Sequence, residues 1–271
     1  MFLRDLVISR ALCDLFNAPA LQGRIAFRGG TAIHKLLFAR PLRYSEDIDL
    51  VQTRAEPIGA TVDAIRESLS WLGKCSREQA GHSMHLVFRF AAEADAGTTL
   101  KLKIEINTRE HDNLLGIKPY RFVVDNDWYR GEAGIASFEP EELFGTKLRA
   151  LLQRRKNRDL FDLHQGLEQL GLDADKLIAC FGHYLALEGN PITRAMAEQR
   201  MLEKLGRSLT EDVVPLLPAD IRFDDAVALA AFGRVWKELI ARIPGEGWKL
   251  TGSVVGALRQ KGYPDLLKGA A

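Results

Sequence analysis

Cysteine is scarce and poorly spaced for a structural role: Cys13, Cys75 and Cys180 are the three in 271 residues, with no CxxC pair among them. An odd number at such distances argues against a disulfide framework and a zinc–thiolate cluster, and fits a reducing cytoplasm. An excess of either charge is also lacking. Lys and Arg number 37 against 36 Asp and Glu, a formal net charge of +1, so any nucleic-acid contact must be local and no polybasic membrane anchor is expected. Long apolar runs are absent as well. The first sixteen residues are interrupted by Arg4, Asp5, Arg10 and Asp14, which leaves no signal-peptide core, and no other stretch suits a bilayer-spanning helix. There is no internal repeat, low-complexity tract or long linker. What is present is 46% hydrophobic residues, enough for a buried core in one large domain or two smaller ones. A globular cytoplasmic protein that does not engage a membrane is the expectation.

Periodicity divides the chain. Leu3, Leu6, Val7 and Leu15 predict a helix over 2–16, and Ile25-Ala26-Phe27-Arg28 a short strand ending at Gly29-Gly30, after which Thr31 opens a second helix. A strand is predicted over 46–51 and a helix over 57–71. Alternation of apolar and polar residues over 85–90 and 100–107 predicts two paired strands separated by a polar loop at 93–99, and 121–124 and 134–136 read as edge strands. From Pro140 onward the signals are helical: 140–155, 158–170, 174–188, 191–206 and 222–242, punctuated by Gly171, Gly189, Pro215, Pro218 and Pro244. The fold class expected is α+β, with a mixed sheet in a domain over 1–139 and a helical domain over 140–271.

Asp47 and Asp49 stand two apart on a predicted strand, so both project from one face, roughly 6.5 Å apart along the backbone, while Ile48 turns to the core. Over 100–107 the apolar face is Leu102, Ile104 and Ile106, which gathers Lys101, Lys103, Glu105 and Asn107 on the other. Three carboxylates without His or Cys suit a hard cation such as Mg²⁺, which takes further ligands from water and substrate phosphates. Two such ions could serve an in-line displacement. Taken alone, an Asp-x-Asp and a strand Glu are more often solvated surface charges. The strand–Gly–Gly–Thr–helix unit upstream changes that balance, because N–H groups at a glycine turn and helix start can hold phosphate and the Thr31 hydroxyl can donate to it.

Phe27-Arg28-Gly29-Gly30-Thr31-Ala32, followed by Arg43-Tyr44-Ser45-Glu46-Asp47-Ile48-Asp49-Leu50, resembles the AbiEii/MenT family of nucleotidyltransferase toxins. A second block, Glu141-Glu142-Leu143, then Lys147 through Arg154, then Arg158-Asp159-Leu160-Phe161-Asp162-Leu163, is similar to that family's later signature. The resemblance covers roughly 24–165 and implies a polymerase-β-like nucleotidyltransferase domain followed by a helical one. It further implies that Gly29, Gly30 and Thr31 hold triphosphate, that Asp47 and Asp49 ligate Mg²⁺ with Glu105 as third carboxylate, and that Ser45 contacts the nucleotide. Lys147 would neutralise phosphate, and Asp159, with Asp162 as alternative, would be the later essential acid. By the same resemblance the substrate is an NTP, the acceptor the 3′ end of tRNA, the outcome growth inhibition, and the partner a cognate antitoxin. The alternatives are an antibiotic- or protein-modifying nucleotidyltransferase and a catalytically silent nucleotide-binding protein.

Each late residue has a plainer reading. Lys147 could snorkel along a helix flank, and Asp159 could sit in a first helical turn capped by Asn157 for dipole reasons. Ser45 could be a strand-start hydroxyl. The basic run Lys147, Arg149, Arg154, Arg155, Lys156 and Arg158 reads either as phosphate contacts to an RNA acceptor or as C-terminal helix cations. His82, His85 and His111 lack the spacing of a metal shell, and Trp71, Trp128, Trp236 and Trp248 read as packing residues.

Overall fold

The computed structural model describes residues 2–81, 83–92 and 95–268. The chain divides into two compact units, Met1–Glu139 and Pro140–Ala271.

The first unit is built on a seven-stranded mixed sheet. Helix α1 (Phe2–Asn17) leads to β1 (Ile25–Arg28), α2 (Gly29–Leu36), β2 (Asp47–Gln52) and α3 (Gly59–Ser68), followed by β3 (Cys75–Ala80), β4 (Ser83–Ala92), β5 (Asp95–Asn107), β6 (Ile117–Asp125) and β7 (Arg130–Phe138). The strand order is β3-β4-β5-β2-β1-β7-β6. β2 runs antiparallel to β1 and parallel to β5, and β7 runs parallel to β1. Alternation sends Ile48 and Leu50 of β2 and Leu102, Ile104 and Ile106 of β5 into one core with Ile8 and Leu12 of α1 and Val62 and Ile65 of α3. The opposite sides of the same two strands carry Asp47, Asp49, Lys103 and Glu105, all only partly buried.

Several elements depart from the sequence expectation. Strand β3 was not foreseen, because its residues are polar and its side chains mostly exposed; an edge strand needs no apolar face, only a partner ladder with β4. β7 is not an edge strand: it lies between β1 and β6, and its core residues Ala133, Ile135 and Phe138 are buried accordingly. Most of the loop expected over 93–99 is strand, since β5 begins at Asp95, while residues 93 and 94 lie outside the described residues. The helix expected over 57–71 is shorter, Gly59–Ser68.

The second unit comprises α4 (Pro140–Gln153), α5 (Arg158–Gln169), α6 (Ala174–Glu188), α7 (Arg194–Lys204), α8 (Asp225–Glu238) and α9 (Thr251–Gln260). Phe144, Leu148, Phe161, Phe181, Tyr184 and Phe232 are its fully buried anchors. Gly145 lets α6 approach α4 closely, since a Cβ there would stand 2.8 Å from Cys180 Cβ. Helix α9 escaped the sequence reading because it contributes one buried side chain, Val255, so no apolar stripe announces it.

Candidate active site

Strand β1 passes directly into α2, whose first residues are Gly29 and Gly30. The glycines are therefore the first turn of the helix, where N–H groups have no intrahelical acceptor, rather than a separate turn before it. Gly29 has φ +83°, and a Cβ at this position would lie 2.0 Å from Asp49 Oδ2. Only glycine fits both the backbone conformation and this approach, so the strand–helix turn is packed against the carboxylate of β2.

Pairing of β2 with β5 sets Asp47 opposite Lys103 and Asp49 opposite Glu105. Lys103 Nζ donates to Glu105 Oε2 at 2.8 Å, and His85 Nε2 lies 3.4 Å from the same oxygen. Burial works against the Lys103 ammonium, but the hydrogen bond to Glu105 and the charges of Glu105, Asp47 and Asp49 outweigh it and raise its pKa above the ordinary value. Burial likewise opposes the Glu105 carboxylate, yet Lys103 and His85 hold its pKa below the ordinary value. Three carboxylates thus act electrostatically on one point of the open sheet face. Among the described residues, however, no three His, Cys, Asp or Glu side chains are gathered as a metal-binding group.

Thr31 Oγ1 lies 2.5 Å from the Asp47 carbonyl oxygen and 2.7 Å from Ser45 Oγ. A carbonyl can only accept, so the threonine proton goes to the backbone and ties the first turn of α2 to the start of β2. Arg28, the residue before the glycines, pairs with Glu110. Lys103 and Arg28 are the charged neighbours that sequence reasoning left without a role; the period of two in β5 and the position preceding Gly29-Gly30 were the available signals.

In the helical unit Lys147 is 5% exposed and donates to Asp159 at 3.1 Å, with Asp162 also at 3.1 Å; both carboxylates are fully buried. Lys147 is thus an interior ion-pair partner, not a snorkelling side chain. Asn157 makes no side-chain cap for α5; its Nδ2 donates to the Ser208 carbonyl and its N–H to Asp212. His111 Nδ1 lies 2.8 Å from the Gln52 carbonyl oxygen, while His82 lies outside the described residues. Trp71 and Trp128 pack around the Arg10 guanidinium.

A mixed sheet that joins a strand–Gly–Gly–helix turn to an Asp-x-Asp strand, followed by a helical unit, places the protein among the nucleotidyltransferase folds. The family model described as nucleotidyl transferase AbiEii toxin, type IV TA system, matches residues 10–240, and the chain belongs to this family. Its fold is similar to that of MenT4, a nucleotidyltransferase toxin from Mycobacterium tuberculosis H37Rv, with a TM-score of 0.63 at 17% identity over 95% of this chain and 92% of that one. JHP933 from Helicobacter pylori is similar with a TM-score of 0.59 at 16% identity, over 95% and 97% of the two chains. No curated protein sequence matches the chain. Membership brings with it a nucleotide substrate and an antitoxin partner. Among the described residues no helix is long and apolar enough to cross a membrane.

Proposed function

We propose that the protein transfers a nucleoside monophosphate from an NTP to the 3′ end of a tRNA in the cytoplasm, releasing pyrophosphate and so arresting growth until its antitoxin intervenes. The observation that carries this reading is the contact between Gly29 and the Asp49 carboxylate, because it makes the phosphate-holding turn and the acidic strand one structural unit. N–H groups of Gly29, Gly30 and Thr31 at the start of α2 hold the triphosphate, and Ser45, braced by Thr31, borders the nucleotide.

The donor set fits Mg²⁺, which uses one or two protein carboxylates and completes its shell with water and phosphate oxygens. Asp47 and Asp49 would hold it, with Glu105, opposite Asp49 in register, as third carboxylate. When bound, the ion supplies positive charge against the triphosphate and lowers the cost of ionising the acceptor hydroxyl. The field that Asp47, Asp49 and Glu105 exert on Lys103 supports this fit, since a cation is already favoured there. The acceptor oxygen forms a bond to the α-phosphorus as the bond to the bridging oxygen of the β-phosphate breaks; the hydroxyl proton passes to solvent and the electron pair leaves with pyrophosphate.

The test is transfer from each of four labelled NTPs to purified tRNA, total protein or an aminoglycoside. Label in tRNA that disappears with Asp47→Asn or Asp49→Asn supports the reading. Label in one of the other acceptors reassigns the substrate, and unchanged transfer by both variants removes the two aspartates from the mechanism.

A further inference from the structure

Beside the C-terminal end of α4 the helical unit encloses a cavity of about 570 Å³ lined by Arg154, Arg155, Arg200, Lys204 and Arg207, with Glu203 as its acid. Glu203 accepts a hydrogen bond from Gln199 at 2.9 Å. Dipole complementation explains two of the cations. Arg200 donates to the Leu152 carbonyl at 3.3 Å and Lys204 to the Arg154 carbonyl at 2.9 Å, so they hold the last carbonyls of α4 and its exit. It does not explain the others. Arg154 reaches Asp159 only at 3.7 Å, and Arg155 and Arg207, both exposed, have no side-chain hydrogen bond or ion pair among the described residues.

This concentration of positive charge occurs in a chain whose net charge is +1. Like charges around one recess repel each other unless an anion enters. Lys204 adds a largely buried ammonium to this recess; burial pushes its pKa below the ordinary value although Asp159 and Asp212 pull the other way. Guanidinium groups match phosphate oxygens in a bidentate fork. No aromatic ring lines the cavity, so nothing there stacks a base or anchors a peptide side chain. Contact is with backbone phosphate and indifferent to base sequence.

We propose that this recess of the helical unit, between the end of α4 and α7, binds the phosphodiester backbone of the RNA acceptor, a role that rests on the transfer reaction proposed above. Arg155, Arg200 and Arg207 make the contacts, and Lys204 supplies charge from beneath.

The experiment is fluorescence anisotropy of labelled tRNA with the full chain, without NTP or divalent metal, across a salt series. Each lost phosphate contact lowers the log–log salt slope by about 0.7 to 0.9. Arg155→Gln/Arg200→Gln/Arg207→Gln is therefore expected to lower the slope by about 2 to 3 and the affinity on the order of tenfold or more. Because Arg200 also holds a helix carbonyl, the pair Arg155→Gln/Arg207→Gln, which touches no structural bond, serves as the second variant, with a slope loss of about 1 to 2. Wild-type slope and affinity in both variants would overturn the pocket. So would loss of poly-glutamate binding with RNA binding intact, which would point to an acidic polypeptide instead. Because binding is read without NTP, failure here leaves the transfer assay with Asp47 and Asp49 variants standing, and failure of transfer leaves the salt slopes readable.

Discussion

The aspartates of the sheet and those of the helical unit live under opposite conditions. Asp47 and Asp49 stand partly exposed on an open sheet face, so water shares the cost of keeping them ionised and a ligand can reach them. Asp159 and Asp162 are fully buried and share the Lys147 ammonium. A buried ion pair is strongly destabilising to break, whereas half-solvated charges are cheap to neutralise. The same residue type is thus within reach of a ligand in one unit and structural glue in the other, and that contrast can be tested directly.

The largest expected effect is on the buried side. Lys147→Met should lower stability by about 3 to 5 kcal/mol, read by urea unfolding, while Asp47→Asn and Asp49→Asn should change it by less than about 0.5 kcal/mol. Equal losses in all three would break the comparison.

Next comes activity. Several kcal/mol of transition-state stabilisation from a held cation correspond to a loss of about 10²- to 10³-fold in transfer for Asp47→Asn or Asp49→Asn. A transfer rate within a factor of two of wild type would deny the open face its role.

Gly29→Ala tests the joint between turn and strand. The added Cβ meets Asp49 Oδ2 at 2.0 Å and the residue must hold φ +83°, a conformation that costs a non-glycine residue about 1 to 3 kcal/mol. A fall in melting temperature accompanied by loss of transfer is expected; a drop in stability with full transfer would uncouple the turn from the carboxylate.

The smallest effect sharpens the buried side. Glu198 is buried, but Thr251 donates to it at 2.6 Å, the Trp248 N–H at 2.9 Å and Arg194 at 2.9 Å, so its pKa is lowered although burial alone would raise it. A depressed folded pKa means stability that is fully present above the ordinary carboxylate range and is lost as pH falls through the folded value. Glu198→Gln should therefore be less stable than wild type by about 1 to 2 kcal/mol at neutral pH. The gap should close in acid. A gap constant from pH 7 down to pH 3 would assign the effect to packing instead of charge.

Legibility followed the same division. The period of two set Asp47 and Asp49 on one face of their strand and Lys103 and Glu105 on one face of theirs, and Gly29-Gly30 announced a turn from strand to helix. That this turn is a close approach to another strand came from the structure. The partner of that approach was not legible. Asp49 meets Gly29 because β1 and β2 pair antiparallel with Arg28 opposite Asp49, and Lys103 feels Asp47 because β2 and β5 pair parallel, both long-range registers. Strand β3 was invisible because an exposed edge carries no apolar alternation. Asp159 and Asp162, three apart, were bound to share a helix face, but only the packing of α4 against α5 put Lys147 between them. The basic recess was half legible: Arg154 and Arg155 stood out in sequence, while Arg200 and Arg207, some fifty residues later, joined them only through the docking of α7.

Residue order by itself determined which side chains share a strand or helix face, where the chain must turn, and that a sheet-forming half precedes a helical half. Those properties are local, set by backbone periods and steric limits. Tertiary structure alone decided which faces meet: that Thr31 spends its proton on the Asp47 backbone, that Lys103 answers three carboxylates, and that Lys147 is buried between two. Such outcomes depend on pairing and packing between residues distant along the chain, where burial and charge, rather than sequence spacing, choose the partner.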